Sequence, residues 1–390
     1  MSKNFQDLKS ESSSKLTAHL LAANFSLAFR IFRTFFTISA LPLGKLEQPS
    51  LSLLLHRRGF DDAVLVRFGS IACSKLRQTL SEAMTWLIVI TVWLTVLTGT
   101  GDSQQPRAIV AQDGSGDCTT ITAAIFAFPN HSVEPYYIKV KNGTYHEYVQ
   151  IEKWKTNIVL IGEGTENTVI TGNKSFGGDG IRTLYTATVS VKGQGFTAQD
   201  ITFTNEAGPW KYQAAALVAE AEYISFYRCR FEGYQDTLYT RFGKQFYRDC
   251  QVLGTIDFIC GDATAVFQNS IIEVRAPILG QFNTITAQKR EEEGEATGIV
   301  LQNCTIKATP ELEKMGKIVT TYLGRPWGNY SRTVVMQSDI ELLINPNGWI
   351  EFTNETLIRP YYMEYMNRGE GANTIYTCMS KNLFVFGVCI

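Results

Sequence analysis

A chain of 390 residues that is 45% hydrophobic and 19% charged can bury a core and is not a disordered polyelectrolyte. The net charge of −1 divides unevenly: residues 1–100 carry 11 Lys/Arg against 6 Asp/Glu, and the remainder carries 25 against 31. The acidic remainder gives no footing for nucleic acid as a partner, although a local basic groove remains compatible with it.

The first 83 residues read as a poorly structured leader. Leu16–Gly44 is rich in Phe and Ser and contains Arg30 and Arg33 but no acid, as in transit peptides. Residues 84–98, MTWLIVITVWLTVLT, form an uncharged apolar run, short for a membrane span and suited to a signal-peptide core. Small residues follow in GTGDS (99–103). Three readings of 84–101 stand side by side: a signal peptide starting at Met84, a signal anchor with a cytoplasmic leader, and an organelle-targeting leader. A buried core helix fits less well, because the run has no polar face.

From Arg107 the texture changes to short β-rich runs punctuated by Gly and Asn: NIVLIGEG (157–164), ATVSVKG (187–193), DITFTN (200–205), YISFYRCRF (223–231), KQFYRDCQV (244–252), TAVFQNSIIEV (264–274) and TGIVLQNCTI (297–306). Ile201, Ile224, Tyr247 and Phe267 mark intervals of about 20–23 residues with almost no helical periodicity between them. A repeat of that length without a helix predicts a coil of parallel strands, each turn burying its inner face on the next. The predicted fold is a right-handed parallel β-helix. A sandwich or barrel would carry hairpin signals such as Asn-Gly, which are scarce.

Stacked coils give meaning to spacings near 21. Asp236 and Asp257 lie 21 apart inside otherwise apolar runs, and Gln213, Gln235 and Asp257 fall at 22. Buried carboxylates are costly unless paired or neutralised, so these positions are candidates for chemistry, with a structural Asn/Gln ladder as the alternative. Gln235 and Asp236 are neighbours and would face opposite sides of a straight strand. Both face one site only if the chain bends there. Cys229 and Cys250 are also 21 apart, and stacking would bring their Cα atoms within disulfide range. No close CxxC pair occurs among the eight cysteines, so no zinc site is expected. Six N-glycosylation sequons, at Asn130, Asn142, Asn173, Asn303, Asn329 and Asn354, fit a secretory protein.

From about Ala108 to Asn373 the chain resembles the plant pectin methylesterase (pectinesterase) family. The resemblance rests on VAQDGSGD (110–117), NGTYHEYV (142–149), LIGEGTENTVITGN (160–173), QAAAL (213–217), YQDTLY (234–239), DFICG (257–261), LGRPW (323–327), YSRTVVMQS (330–338) and EYMNRGEGA (364–372). It implies a β-helix catalytic domain over 107–374 that hydrolyses methyl esters of polygalacturonate without metal or cofactor. By position in the motifs, Asp257 is the expected nucleophile and Asp236 the general acid and then base. Gln213 and Gln235 would stabilise the oxyanion, Arg325 would hold Asp257, and Thr183 and Trp327 would contact the sugar. Tyr239 and Tyr212 are weaker candidates for the groove. Implied partners are methyl-esterified homogalacturonan and a proteinaceous pectinesterase inhibitor, for a monomer in the cell wall or one anchored through 84–98. No inhibitor-like pro-domain is recognisable in residues 1–100.

The chemistry agrees: ester hydrolysis needs a nucleophile, a proton donor for the alkoxide and donors for the tetrahedral oxygen. A Ser-His-Asp site is disfavoured, because no GxSxG occurs and His146 reads as solvent-facing on a strand. Cys260 and Cys118 stand where the family has aromatic residues. The tail 375–390, ending IYTCMSKNLFVFGVCI, departs from the family's terminal segment and leaves the last coil's capping open. A pectin-binding protein without catalysis is therefore the alternative function, and a polysaccharide lyase or glycosidase on a similar coil is a more distant one.

Overall fold

The computed structural model describes residues 106–352, 359–372 and 384–388. The leader 1–83, the apolar run at 84–98 and most of the tail 375–390 lie outside the described residues. Among the described residues no helix is long and apolar enough to cross a membrane.

Three parallel sheets run the length of the domain, with 11, 8 and 7 strands among the described residues. One coil shows the path. The chain passes through Ile224–Tyr227 in the first sheet, Arg230–Glu232 in the second and Leu238–Phe242 in the third, then starts the next coil at Lys244–Arg248. Every strand pair is parallel and joins successive coils, which is the predicted right-handed parallel β-helix. This coil and the next repeat at 21: Ile224 pairs with Gln245, Arg230 with Gln251 and Leu238 with Ile259.

The first-to-second-sheet corner is the constant element. Two residues make it in nearly every coil, the first in the left-handed region: Asp200, Arg228, Asp249, Asn269, Asn303 and Gln337 have φ between 49° and 57°. Non-glycine residues pay for that conformation, and Asp and Asn pay least. The second corner residue is small and buried. Cys229, Cys250, Ser270, Cys304 and Ser338 each donate from sulfur or oxygen to the carbonyl two residues back, at 3.0–3.5 Å.

This corner corrects the expected disulfide. Cys229 and Cys250 do stack on adjacent coils, with the Gln251 N–H bonded to the Cys229 carbonyl at 2.9 Å, but both are free thiols. In-register parallel strands hold neighbouring Cβ atoms about 4.8 Å apart and pointing the same way, whereas a bridge needs about 3.8 Å. Their sulfurs do the same work as the hydroxyls of Ser270 and Ser338. Burial pushes the Cys229 thiol up to about 12.

Inside, a ladder of rings fills the tube. Phe226, Tyr247 and Phe267 occupy equivalent positions and stack with centroids 5.0 and 4.4 Å apart at interplanar angles of 9° and 7°. Such pairs contribute about 0.5–1.5 kcal/mol each beyond their burial. The ladder corrects the stack read from sequence. Ile224 pairs with Gln245, not Tyr247, and Ile201 is the second residue of a corner, because residues between strands vary in number from coil to coil.

The short helix Ile121–Ala127 packs on the first coil through Ile121, Ala124 and Ile125, a face spaced i, i+3, i+4. Thr120 caps it, and the Glu147 carboxylate accepts from the N–H groups of Ile121 and Thr122. At the other end, Phe384–Val388 of the tail adds a parallel strand to Tyr361–Tyr365. The departing tail thus supplies the strand that covers the last edge of the first sheet.

Candidate active site

The cleft lies on the third sheet, and unequal links between strands create it. The coil carrying Asp257 has the tightest connections: Thr255 alone joins Gln251–Gly254 to Ile256–Gly261, and Gly243 alone joins the preceding coil to Lys244–Arg248. Neighbouring coils extend loops there, at 173–188 and 206–216 on one side and at 289–297 and 325–331 on the other. A floor of short turns between walls of long ones leaves a cleft of about 560 Å³. Thr183, Gln213, Gln235, Asp236, Asp257, Arg325 and Trp327 all line it.

Both aspartates have left-handed backbone, Asp236 at φ 59° and Asp257 at φ 51°. This is the bend that a straight strand could not supply, and it lets Gln235 and Asp236 reach the same cleft. The register corrects one spacing. Gln213 pairs with Gln235 at 22, but Leu238 pairs with Ile259, so Asp236, not Gln235, stands opposite Asp257.

Asp257 is 6% exposed and held by four hydrogen bonds. Arg325 grips it with Nε on Oδ1 at 2.8 Å and Nη2 on Oδ2 at 2.6 Å. The Thr284 hydroxyl donates to Oδ1 at 2.6 Å while accepting the Asp257 N–H at 2.9 Å. Oδ1 therefore takes two donors and Oδ2 only one, which leaves a free lone pair on Oδ2. Asp236 has no such clamp. Burial first, then the charge of Asp257, push its carboxyl well above the usual range, and Arg325 only partly opposes this. Two carboxyls on adjacent coils thus sit in unlike surroundings, one paired with a guanidinium and one favoured as an acid.

Arg325 arrives through close packing. A Cβ on Gly324 would stand 2.0 Å from the Thr286 hydroxyl, so only glycine lets LGRPW lie this near the preceding coil. The guanidinium sits between Phe352, 4.4 Å from its ring centroid, and Phe282 at 5.7 Å. Trp327 stacks near Phe352 at 6.4 Å and faces Tyr239 at 6.0 Å, with the Lys289 ammonium 4.7 Å from the indole. The Gln213 amide oxygen is buried without a partner, so the amide is not tied down.

Several residues of the site were not read from the sequence: Phe352, Lys289, Arg182 and Arg241 line the cleft, and Thr284 and Phe282 support Asp257 and Arg325. Thr284 is 27 residues from Asp257 because a loop lengthens that coil, so no search at 21 finds it. Tyr239 lines the cleft, whereas Tyr212 is half-exposed outside its lining. Cys260 also lines it as a free buried thiol, pushed up chiefly by burial. His146 is exposed on a strand of the second sheet.

Residues 107–379 match the family model described as Pectinesterase. The chain is 51% identical over 273 residues to "Pectinesterase/pectinesterase inhibitor PPE8B" of Prunus persica, covering 70% of this chain and 52% of that one. It is 49% identical over 270 residues to "Pectinesterase" of Petunia integrifolia, covering 69% and 72%. Among solved structures, "Pectin methylesterase from Carrot" superposes with a TM-score of 0.71 at 43% identity, over 73% of this chain and 90% of the other. The chain spans about half the length of several curated relatives it matches, such as the Prunus protein. With the family model and these relatives in agreement, the chain belongs to the pectinesterase family.

Proposed function

We propose that this protein hydrolyses methyl esters of polygalacturonate to pectate and methanol. The observation that carries the reading is the unlike pair of carboxyls, Asp257 clamped by Arg325 and Asp236 held toward its acid form. Oδ2 of Asp257 attacks the ester carbonyl. The amides of Gln213 and Gln235 stabilise the oxyanion that forms. As the tetrahedral centre collapses, the C–OCH3 bond breaks and Asp236 gives its proton to the leaving methoxide. An anhydride then joins Asp257 to the sugar. Asp236, now charged, takes a proton from water, the hydroxide attacks the anhydride, and Asp257 leaves as carboxylate.

The cleft suits an acidic polymer. Arg182, Arg241, Lys289 and Arg325 line it against two acids, in a region that is net negative as a whole. Trp327 and Phe352 offer ring faces to the sugars, and Thr183 stands on the opposite wall. Secretion to the cell wall is supported by the sequons, of which Asn130, Asn142, Asn173 and Asn303 are exposed. An anchor through 84–98 is the second reading of location, and a proteinaceous pectinesterase inhibitor is the proposed protein partner.

Methanol release from esterified pectin, with no unsaturated uronide formed, is the expected result. Unsaturated products without methanol would replace the esterase reading with a lyase. Gln235→Ala is expected to lower turnover by about 10²–10³, the usual cost of one oxyanion donor. Its pectate affinity should change little, and near-normal turnover would remove Gln235 from that role.

A further inference from the structure

The interior ladder ends in a carboxylate. Phe267 is followed in register by Leu301, Val335 and then Glu364, on the strand Tyr361–Tyr365. Glu364 is 3% exposed. The Trp349 indole N–H donates to its Oε1 at 3.1 Å, and the Trp349 ring meets the Tyr362 ring edge-on at 4.5 Å. Trp349 in turn belongs to the segment that flanks LGRPW. The Leu323 N–H bonds the Gly348 carbonyl at 2.7 Å, and the Ile350 N–H bonds the Gly324 carbonyl at 3.2 Å. Three residues after Trp349, Phe352 covers the guanidinium that holds Asp257. Glu364 is therefore linked to Arg325 by its contact with Trp349, the short backbone segment 349–352 and the contact of Phe352 with the guanidinium.

We propose that Glu364 is a positioning residue for the cleft: as a neutral acid it anchors Trp349, and through it Phe352 over Arg325 and beside Trp327, and its ionisation loosens that wall. This rests on the esterase reading for its activity readout. Geometry supplies the coupling, and burial supplies the switch. Glu364 is pushed up to about 7, first by burial, with the Trp349 hydrogen bond acting in the opposite direction. Among the described residues nothing of opposite charge answers it. Val335 faces it from the preceding coil, Gly387 from the following strand and Trp349 from the flanking segment. On its own strand Tyr361 and Tyr365 alternate to the other face, and the titratable neighbour on its face is Tyr362, which burial holds neutral. A carboxylate formed there has one donor and, among the described residues, no counter-ion, so it recovers solvation only if the last coil opens.

The sign follows from the raised value. The stability that Glu364 contributes is fully present below the ordinary carboxylate range and is lost as pH rises through about 7. The wild-type KM for esterified pectin is expected to rise about five- to tenfold between roughly pH 6 and pH 8, the loss of one ring–guanidinium contact with its sugar platform. Amide exchange in 348–352, corrected for intrinsic rates, should increase over the same range. Glu364→Gln keeps the volume and the acceptor but cannot ionise, so it should hold the low-pH KM and exchange protection at high pH. Trp349→Phe keeps a ring without the N–H and should show the raised KM at every pH. Wild type and Glu364→Gln with superimposable KM and exchange profiles would overturn the proposal. If Glu364→Gln does not fold, pH-independent exchange of 348–352 in the wild type overturns it equally. Absence of methanol at all pH values would defeat the esterase reading alone, since the exchange measurement still tests the coupling.

Discussion

Asp257→Asn is expected to reduce methanol release from esterified pectin by about 10⁴–10⁶, the scale of losing a nucleophile from a unit that acts together. Asparagine preserves the volume and accepts the Arg325 Nε and Thr284 hydrogen bonds on its oxygen, but its NH2 group replaces the acceptor of the Nη2 bond and it has no carboxylate lone pair to attack an ester. The cost is specific to chemistry. The left-handed backbone at φ 51° is one that asparagine tolerates as readily as aspartate, so the coil should form. Circular dichroism at low temperature should therefore overlay that of the wild type while methanol release falls by that factor. One complication has a stated direction: an uncharged partner leaves the 16%-exposed Arg325 side chain without its counter-ion, which lowers stability by up to about 3 kcal/mol. A variant that releases methanol at the wild-type rate would remove Asp257 from the reaction.

Asp236→Asn should lower turnover by about 10²–10⁴, the range for a positioned general acid–base group, since the residue acts in both halves of the cycle. Its pH behaviour gives a sharper test. The Asp236 carboxyl is raised by burial and by the charge on Asp257, so the acid form persists past the normal carboxylate range. Wild-type turnover should fall as pH rises through that raised value, because methoxide then departs without its proton. Residual turnover of the Asn variant should lack that limb. Stability follows the same sign: a raised carboxyl contributes stability at low pH that is lost as pH climbs through the folded-state value. Asp236→Asn should accordingly melt at the same temperature or higher than wild type at neutral pH, and lower activity with unchanged pH dependence would assign the limb to another group.

The coil was legible because parallel stacking forces a length repeat, and one pair of middle coils keeps it at 21 in all three sheets. Motifs carried the site residues, since the chemistry fixes Asp236, Asp257 and Arg325 whatever the loops do. Three things were hidden. The bend at Asp236 is a backbone state, and an aspartate in YQDTLY carries no mark of it. Thr284 and Phe352 reach Asp257 and Arg325 from coils of other lengths, so no fixed period points to them. The Cys229–Cys250 pair misled because spacing reports which residues stack but not where their Cβ atoms point. Cysteine at that corner is exchangeable with serine, and Ser270 and Ser338 in the equivalent places were the available sign.

The two-residue corner between the first and second sheets also bears on how such an enzyme changes over time. It keeps its length from Gln199–Thr202 through Met336–Asp339, while links on either side of the third sheet range from one residue, as at Thr255, to the sixteen of 173–188. Loops of very different length are therefore carried on the side that builds the cleft walls. Closing a loop of twice the length costs roughly 0.6 kcal/mol, so such growth hardly taxes the fold. Register is held along one spine, and the cleft walls are drawn from the opposite side. Lineages, and engineers grafting loops between relatives, can thus rewrite which polymer segments are recognised while the paired carboxyls stay where the short coil puts them.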